Sequence, residues 1–250
     1  MDIDRALRRF ASFDDKALGR PWRFKDKPAD VRYALYRTIE DAQEVVVGAA
    51  PEPEARRILA LAQRAFGDLR GLLIGLPNDL LDKSPGEGEW SLREILRHVI
   101  VIEGRYAVQT RYAVDRADSD PMRVADDRMP TPAQTDVSGT VEQVLARLAA
   151  ARAASDARLA DLPIAAMTRP TQWTQYDVDV RFRLHRFAAH IVEHTVHAEK
   201  TLAALGWHLT EGRRIVRRLT AALGEVAGVA GRNAAREIEA RLEERSASVG

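Results

Sequence analysis

Apolar residues recur every three or four positions in six stretches of the chain, and each stretch predicts a helix. The first runs from roughly Pro28 to Val47, with Val31, Leu35, Ile39 and Ala42 on one stripe. Pro51-Glu52-Pro53-Glu54 separates it from the second, which spans about Glu54 to Leu76 and ends at Pro77-Asn78. Pro53 suits a helix start. The third begins at Ser91, where Ser91 and Glu94 have the spacing of a capping box, and carries Leu92, Ile95, Leu96, Val99, Ile102 and Tyr106 to about Asp115. The fourth follows a second capping-box pair, Thr140 and Gln143, and lasts to about Leu162. The fifth spans about Val180 to Leu205, with Gly206 placed as its terminating residue. The last runs from Thr210 to about Ser246, weakened in its middle by Gly224, Gly228 and Gly231.

Between the third and fourth helices lies a polar stretch with three prolines and no helical stripe, which reads as a long crossing loop. Pro163 to Asp179 is irregular, and the alternation of Tyr176, Val178 and Val180 with aspartates allows a short strand there. Helices two to five, with one long crossover, fit an all-α four-helix bundle. The expected division is a helical extension over 1–50, the bundle over 51–208 and a second helical extension over 209–250. No internal repeat of fixed period stands out.

Composition narrows the chemistry. The chain is 46% apolar and 30% charged, ordinary for a globular protein. Its 38 Lys and Arg against 37 Asp and Glu argue against a dedicated nucleic-acid binder; the basic clusters at 5–9 and 213–218 read as solvated helix faces. Cysteine is absent, which excludes disulfides, iron–sulfur clusters and a thiol nucleophile. No apolar run is long enough to cross a membrane, and the N-terminus lacks the apolar core of a signal peptide, so the expected location is the cytoplasm.

Three of the six histidines fall in the stretch HIVEHTVH, residues 190–197. On a helix His190, His194 and His197 share a sector about 60° wide, at the rim of the apolar face made by Leu184, Phe187, Ile191, Ala198 and Leu202. His190 and His194 are one turn apart, so both imidazoles can reach one metal ion. The spacing alone is weak evidence, since a polar rim also explains it. His98 strengthens it: this residue lies mid-helix beside Ile95 and Ile102, facing the bundle interior, and is the natural third ligand. HExxH, Glu-x-x-His, GxSxG and P-loop patterns are all absent.

The text EWSLREILRHVIVIEGRY, with Trp90-Ser91 and then His98, resembles the second bundle helix of the DinB-like superfamily. HIVEHTVHAEKTLAALGW resembles that family's fourth helix, and GLPNDLLDKSPGEGEW its usual lead-in. The resemblance covers about Ala55 to Trp207. It implies a DinB-like four-helix bundle holding one divalent metal through His98, His190 and His194. It also implies a metal-dependent hydrolase or a transferase using a low-molecular-weight thiol. His197 stands where the family often has glutamine or another polar residue.

Three neutral imidazoles leave a tetrahedral metal an open position, and the donor set suits Zn, Ni, Fe or Mn alike. Water or a thiol bound there would be activated for attack on a small-molecule substrate. Glu193 and His197 are the candidate catalytic side chains. Glu193 is either a base beside the metal or the ion-pair partner of Arg183, Arg186 or Lys200, the pairing being favoured. His197 is a proton shuttle, a fourth ligand or a solvent-exposed group, with exposure ranked first. Glu103 points too far round its helix to share the metal and suits a backbone group or a basic side chain. Trp90 is expected to pack as core over its helix start. A different reading makes the chain a non-catalytic interaction protein with structural histidines, its amphipathic terminal helices forming a homodimer.

Overall fold

A computed structural model describes residues 3–50 and 53–249, so Pro51 and Glu52 of the expected separator lie outside the described residues. Among the described residues the regular structure is helical apart from two small hairpins. Helices α1 (Ile3–Ala11) and α2 (Asp15–Leu18) come first, then strands β1 (Pro21–Phe24) and β2 (Lys27–Asp30), then α3 (Val31–Gly48) and α4 (Glu54–Leu73). Next are α5 (Leu92–Asp115), α6 (Val141–Leu159), strands β3 (Pro170–Trp173) and β4 (Tyr176–Asp179), α7 (Val180–Ala204), α8 (Glu211–Val229) and α9 (Gly231–Ser248).

The helix starts follow from their caps. Ser91 and Glu94 form the expected capping box on α5, and Thr140 and Gln143 that on α6. Asp30, Asp179 and Thr210 cap α3, α7 and α8 through their side chains. Gly206, at φ +79°, closes the chain past α7 in the left-handed region that glycine tolerates.

Several elements differ from the sequence expectation. Helices α1 and α2 lie ahead of Pro28, where the apolar pattern predicts no helical stripe. The helix expected from Pro28 starts at Val31, because Lys27–Asp30 pairs with Pro21–Phe24 as a hairpin. The short extended entry before α7 is a complete hairpin, Pro170–Trp173 against Tyr176–Asp179. The long last helix is two, broken where Gly231 takes φ +87° after Ala230. The long crossing stretch is irregular apart from two short 3-10 turns, Asp126–Arg128 and Pro132–Gln134.

Helices α4, α5, α6 and α7 form a four-helix bundle, with α7 against α4 and α5, and α6 against α5 and α4. Its interior includes Leu69, Leu72, Leu96, Val99, Val144, Leu148 and Ile191, continuing into Leu59, Leu159, Leu184 and Phe187. The segments before and after it pack on each other. Leu7, Phe10, Leu18, Leu35, Ile215, Leu219, Ile238 and Leu242 make a separate core drawn from α1, α2, α3, α8 and α9. Helix α8 lies along α4, the most extensive helix pairing in the molecule. No helix among the described residues is long and apolar enough to cross a membrane.

Candidate metal centre

The bundle brings His98, His190 and His194 together at the contact of α5 and α7. His98 lies two turns into α5, whose start is held by the capping box and by Arg93 N donating to Leu81 O at 2.9 Å. His190 and His194 are buried on α7, one turn apart, and His98 is half-buried opposite them. The Nε2 atoms of His98 and His190 are 3.2 Å apart. Ring centroids are separated by 5.1 Å for His98 and His190, 4.6 Å for His98 and His194, and 4.4 Å for His190 and His194. One nitrogen from each ring lies within 4.8 Å of the other two, and no other set of three potential ligands does so among the described residues.

These residues fit a divalent cation. Two nitrogens bound tetrahedrally at about 2.0–2.1 Å stand roughly 3.3 Å apart, close to the His98–His190 separation. His194 Nδ1 is buried with no hydrogen-bond partner among the described residues. Burial also selects the ligand form. It pulls His190 down to about 3, aided by His194, His98 and Arg186, and His194 down to about 4, aided by His98 and His197. Burial lowers His98 too, against a raising influence from Glu193. All three rings are therefore neutral near pH 7, as metal ligation requires.

Aromatic rings frame the cluster. The Trp90 ring lies 5.1 Å from His98 and 6.3 Å from His194, nearly parallel to the latter. It is 38% exposed, so it shields the histidines at the surface and is not the core residue expected over the helix start. Its indole follows His98 in space because the capping box fixes the chain immediately before α5. Tyr106, one face along α5, sets its ring edge-on to His190 at 5.6 Å and to Phe187 at 5.5 Å.

The other candidates are placed differently. Glu193 is 65% exposed and pairs with Arg186 at 3.8 Å. Arg186 in turn lies 4.7 Å over the Trp173 ring, which stacks on Tyr176. His197 is half-buried at the edge, 5.8 Å from the Trp90 ring and 6.0 Å from the His194 ring. Glu103 faces away from the cluster into an ion pair with Arg152 of α6, both buried. Trp90 and Tyr106 are the neighbours that the histidine pattern did not disclose; their positions two turns before and two turns after His98 were the available signal.

A family model described as the DinB superfamily matches residues 61–198, which include all three histidines. Among solved structures, YfiT from Bacillus subtilis is similar, with a TM-score of 0.50 and 14% sequence identity over 64% of this chain and 93% of that one. That protein is described as a probable metal-dependent hydrolase with an unusual four-helix bundle topology. At this identity the likeness concerns the fold. No curated protein matches the sequence.

Proposed function

The chain belongs to the DinB superfamily, and on that premise we propose that it is a metal-dependent enzyme of the hydrolase type, acting on a small molecule. The observation that carries the reading is the convergence of three buried, neutral imidazoles from two helices. His98, His190 and His194 would hold the cation. A divalent metal bound through three histidines supplies Lewis acidity and brings a bound water toward ionisation near neutral pH.

The chain's own residues prepare that site. Burial keeps the three rings unprotonated, so no proton has to be displaced before ligation near neutral pH. Trp90 covers the cluster on its solvent side and limits access to it. Glu193 and His197 stand at the rim on successive positions of the α7 face. Glu193, bound to Arg186, is suited to orient or accept a proton from an incoming group. His197 can relay that proton to solvent. A low-molecular-weight thiol could replace water as the attacking group at the same open position, which makes thiol transfer the alternative chemistry.

The test starts from protein purified without a histidine tag. Elemental analysis is expected to find about one Zn, Ni, Fe or Mn per chain, lost in His98→Ala and His194→Ala with the helical fold retained. Hydrolysis of small ester and amide substrates should then depend on the added metal. A wild-type chain that takes up none of these metals would leave the histidines structural and support the interaction-protein reading.

A further inference from the structure

The hairpin that leads into the histidine helix has a double near the start of the chain. Arg20-Pro21 matches Arg169-Pro170, and Asp30-Val31-Arg32-Tyr33 matches Asp179-Val180-Arg181-Phe182. Leu35 and Arg37 fall at the same spacing as Leu184 and Arg186. The likeness holds in three dimensions. The strand registers agree, Pro21 opposite Asp30 and Pro170 opposite Asp179. Both turns place a non-glycine residue in the left-handed region at the same point, Lys25 and Thr174. Arg37 lies over the Phe24 ring as Arg186 lies over the Trp173 ring.

Helices α4 and α8 are a second matched pair. Glu54, Arg56, Arg57, Ile58, Ala65, Gly67 and Gly71 correspond in order and spacing to Glu211, Arg213, Arg214, Ile215, Ala222, Gly224 and Gly228. Their contact is reciprocal. A β-carbon on Gly67 would lie 2.2 Å from the backbone oxygen of Thr220, and one on Gly224 would lie 2.3 Å from that of Gln63, the counterpart of Thr220. A β-carbon on Gly71 would lie 2.6 Å from Cα of Arg217, and one on Gly228 2.6 Å from Cα of Ala60, the counterpart of Arg217. Such exchange of contacts is the mark of a two-fold axis. The matched salt bridges obey it as well: Arg181 binds Glu54, and Arg32 binds Glu211.

The helix pairings complete the pattern. α7 packs on α4 and α5 as α3 packs on α8 and α9, and α6 packs on α5 and α4 as α1 packs on α9 and α8. We infer that the chain is a fused pseudo-dimer: α8, α9, α1 and α3 form a second bundle, closed through the two chain ends, that faces the metal bundle across the α4–α8 seam and carries no metal site of its own. The two extensions are then one unit, and the surface that a single-bundle protein would offer to a second copy is already covered within the chain.

The second bundle has exchanged ligands for an ion-pair cluster. Asp41 stands at the position of His190, and Val45 at that of His194. Asp41 is buried and bound by Arg37 Nη2 at 2.6 Å and Arg245 Nη2 at 2.7 Å, with Arg241 at 3.8 Å. Arg241 and Arg245 belong to α9, the counterpart of the helix that carries His98. Guanidinium groups therefore occupy the place of a cation.

Three measurements test this. In an experimental structure, the rotation that superposes the α3 hairpin unit on the α7 unit should also carry α8 onto α4 and α9 onto α5; if it does not, the inference fails. In hydrogen exchange on the full chain, Leu242→Ala should lower amide protection in α1, α3, α8 and α9 together, with α5 and α6 unchanged. Loss confined to α9, or spread equally to α5 and α6, overturns the second unit. Finally, a chain with His98→Ala, His190→Ala and His194→Ala together should hold no zinc, whereas one ion per chain retained in that variant overturns the claim of a single site. A wild-type chain that binds no zinc defeats the metal reading alone and leaves the first two tests standing.

Discussion

Replacing Arg152 with methionine removes a buried charge while keeping most of the side chain's volume. The side chains of Arg152 and Glu103 are 0% and 2% exposed. Arg152 Nη1 donates to Glu103 Oε1 at 2.6 Å, Nη2 binds Asp156, and the guanidinium lies 5.3 Å over the Phe187 ring. Gln63 ties Asp156 to α4, so the network joins all four helices of the histidine-bearing bundle. Burial pushes the carboxyls of Glu103 and Asp156 up, and Arg152 is the strongest influence holding both down. Deleting one partner of a buried pair costs about 3–5 kcal/mol, because the remaining charge is stranded.

The loss should depend on pH in a defined direction. Without Arg152 the folded-state pKa of Glu103 rises further above its unfolded value of about 4.3. Its penalty is then small below that pH and grows as pH rises toward the folded value. Urea unfolding of metal-free protein at pH 7.5 and pH 5 reads both quantities. The single variant should lose about 3–5 kcal/mol at the higher pH and clearly less at the lower. Adding Glu103→Leu should recover most of the loss, since an apolar pair can replace a buried ion pair at little cost. A loss below about 1 kcal/mol at pH 7.5, or a double variant as weak as the single one, would refute the reasoning.

Other perturbations probe the remaining parts. Gly71→Ala would set a β-carbon 2.2 Å from Thr220 Oγ1 and 2.6 Å from Arg217 Cα, so α4 and α8 must part; calorimetry should register a loss of about 1–3 kcal/mol or more. In metal-free protein, burial holds His190 at about 3 and His194 at about 4, below an unfolded value of about 6.5. Their stabilisation is complete above pH 6.5 and is lost as pH falls toward 4 and then 3, by up to about 1.4 kcal/mol per pH unit for each ring. A urea midpoint that stays flat from pH 7 to pH 4.5 contradicts this. Chelation should lower the melting temperature, and an excess of metal at about 100 times its Kd should restore about 2.7 kcal/mol.

Much of the histidine-bearing bundle was legible because its helices carry clean apolar stripes and explicit caps. Ser91 with Glu94 and Thr140 with Gln143 fixed two starts to the residue, and His98, His190 and His194 lie together at the contact of α5 and α7. The terminal region was harder. Helix α1 is short and rich in arginine, and the first hairpin offers four-residue strands without clear alternation. The repeat escaped notice because its two sequence-matched pieces, the hairpin–helix unit and the α4/α8 pair, recur at different offsets, while α1 and α9 match α6 and α5 in packing and not in sequence. Arg152 reads as a surface residue by type, yet it falls on the stripe of Val144, Leu148 and Leu159, and that position was the signal of its burial. Trp90 was misplaced because a tryptophan beside a helix start packs as core more often than it shields a polar cluster.

The order of helices along the chain bears on synthesis. The four that carry and surround the histidines are contiguous, so this half can close before α8 and α9 have left the ribosome. The other half cannot, because α1 and α3 emerge before those four helices and their partners α8 and α9 after them. Until α8 arrives, the glycine-lined flank of α4 is open to any neighbouring nascent chain. The interval between those two events is when the protein is most vulnerable to misassembly, and a chaperone acting on it would find its target there.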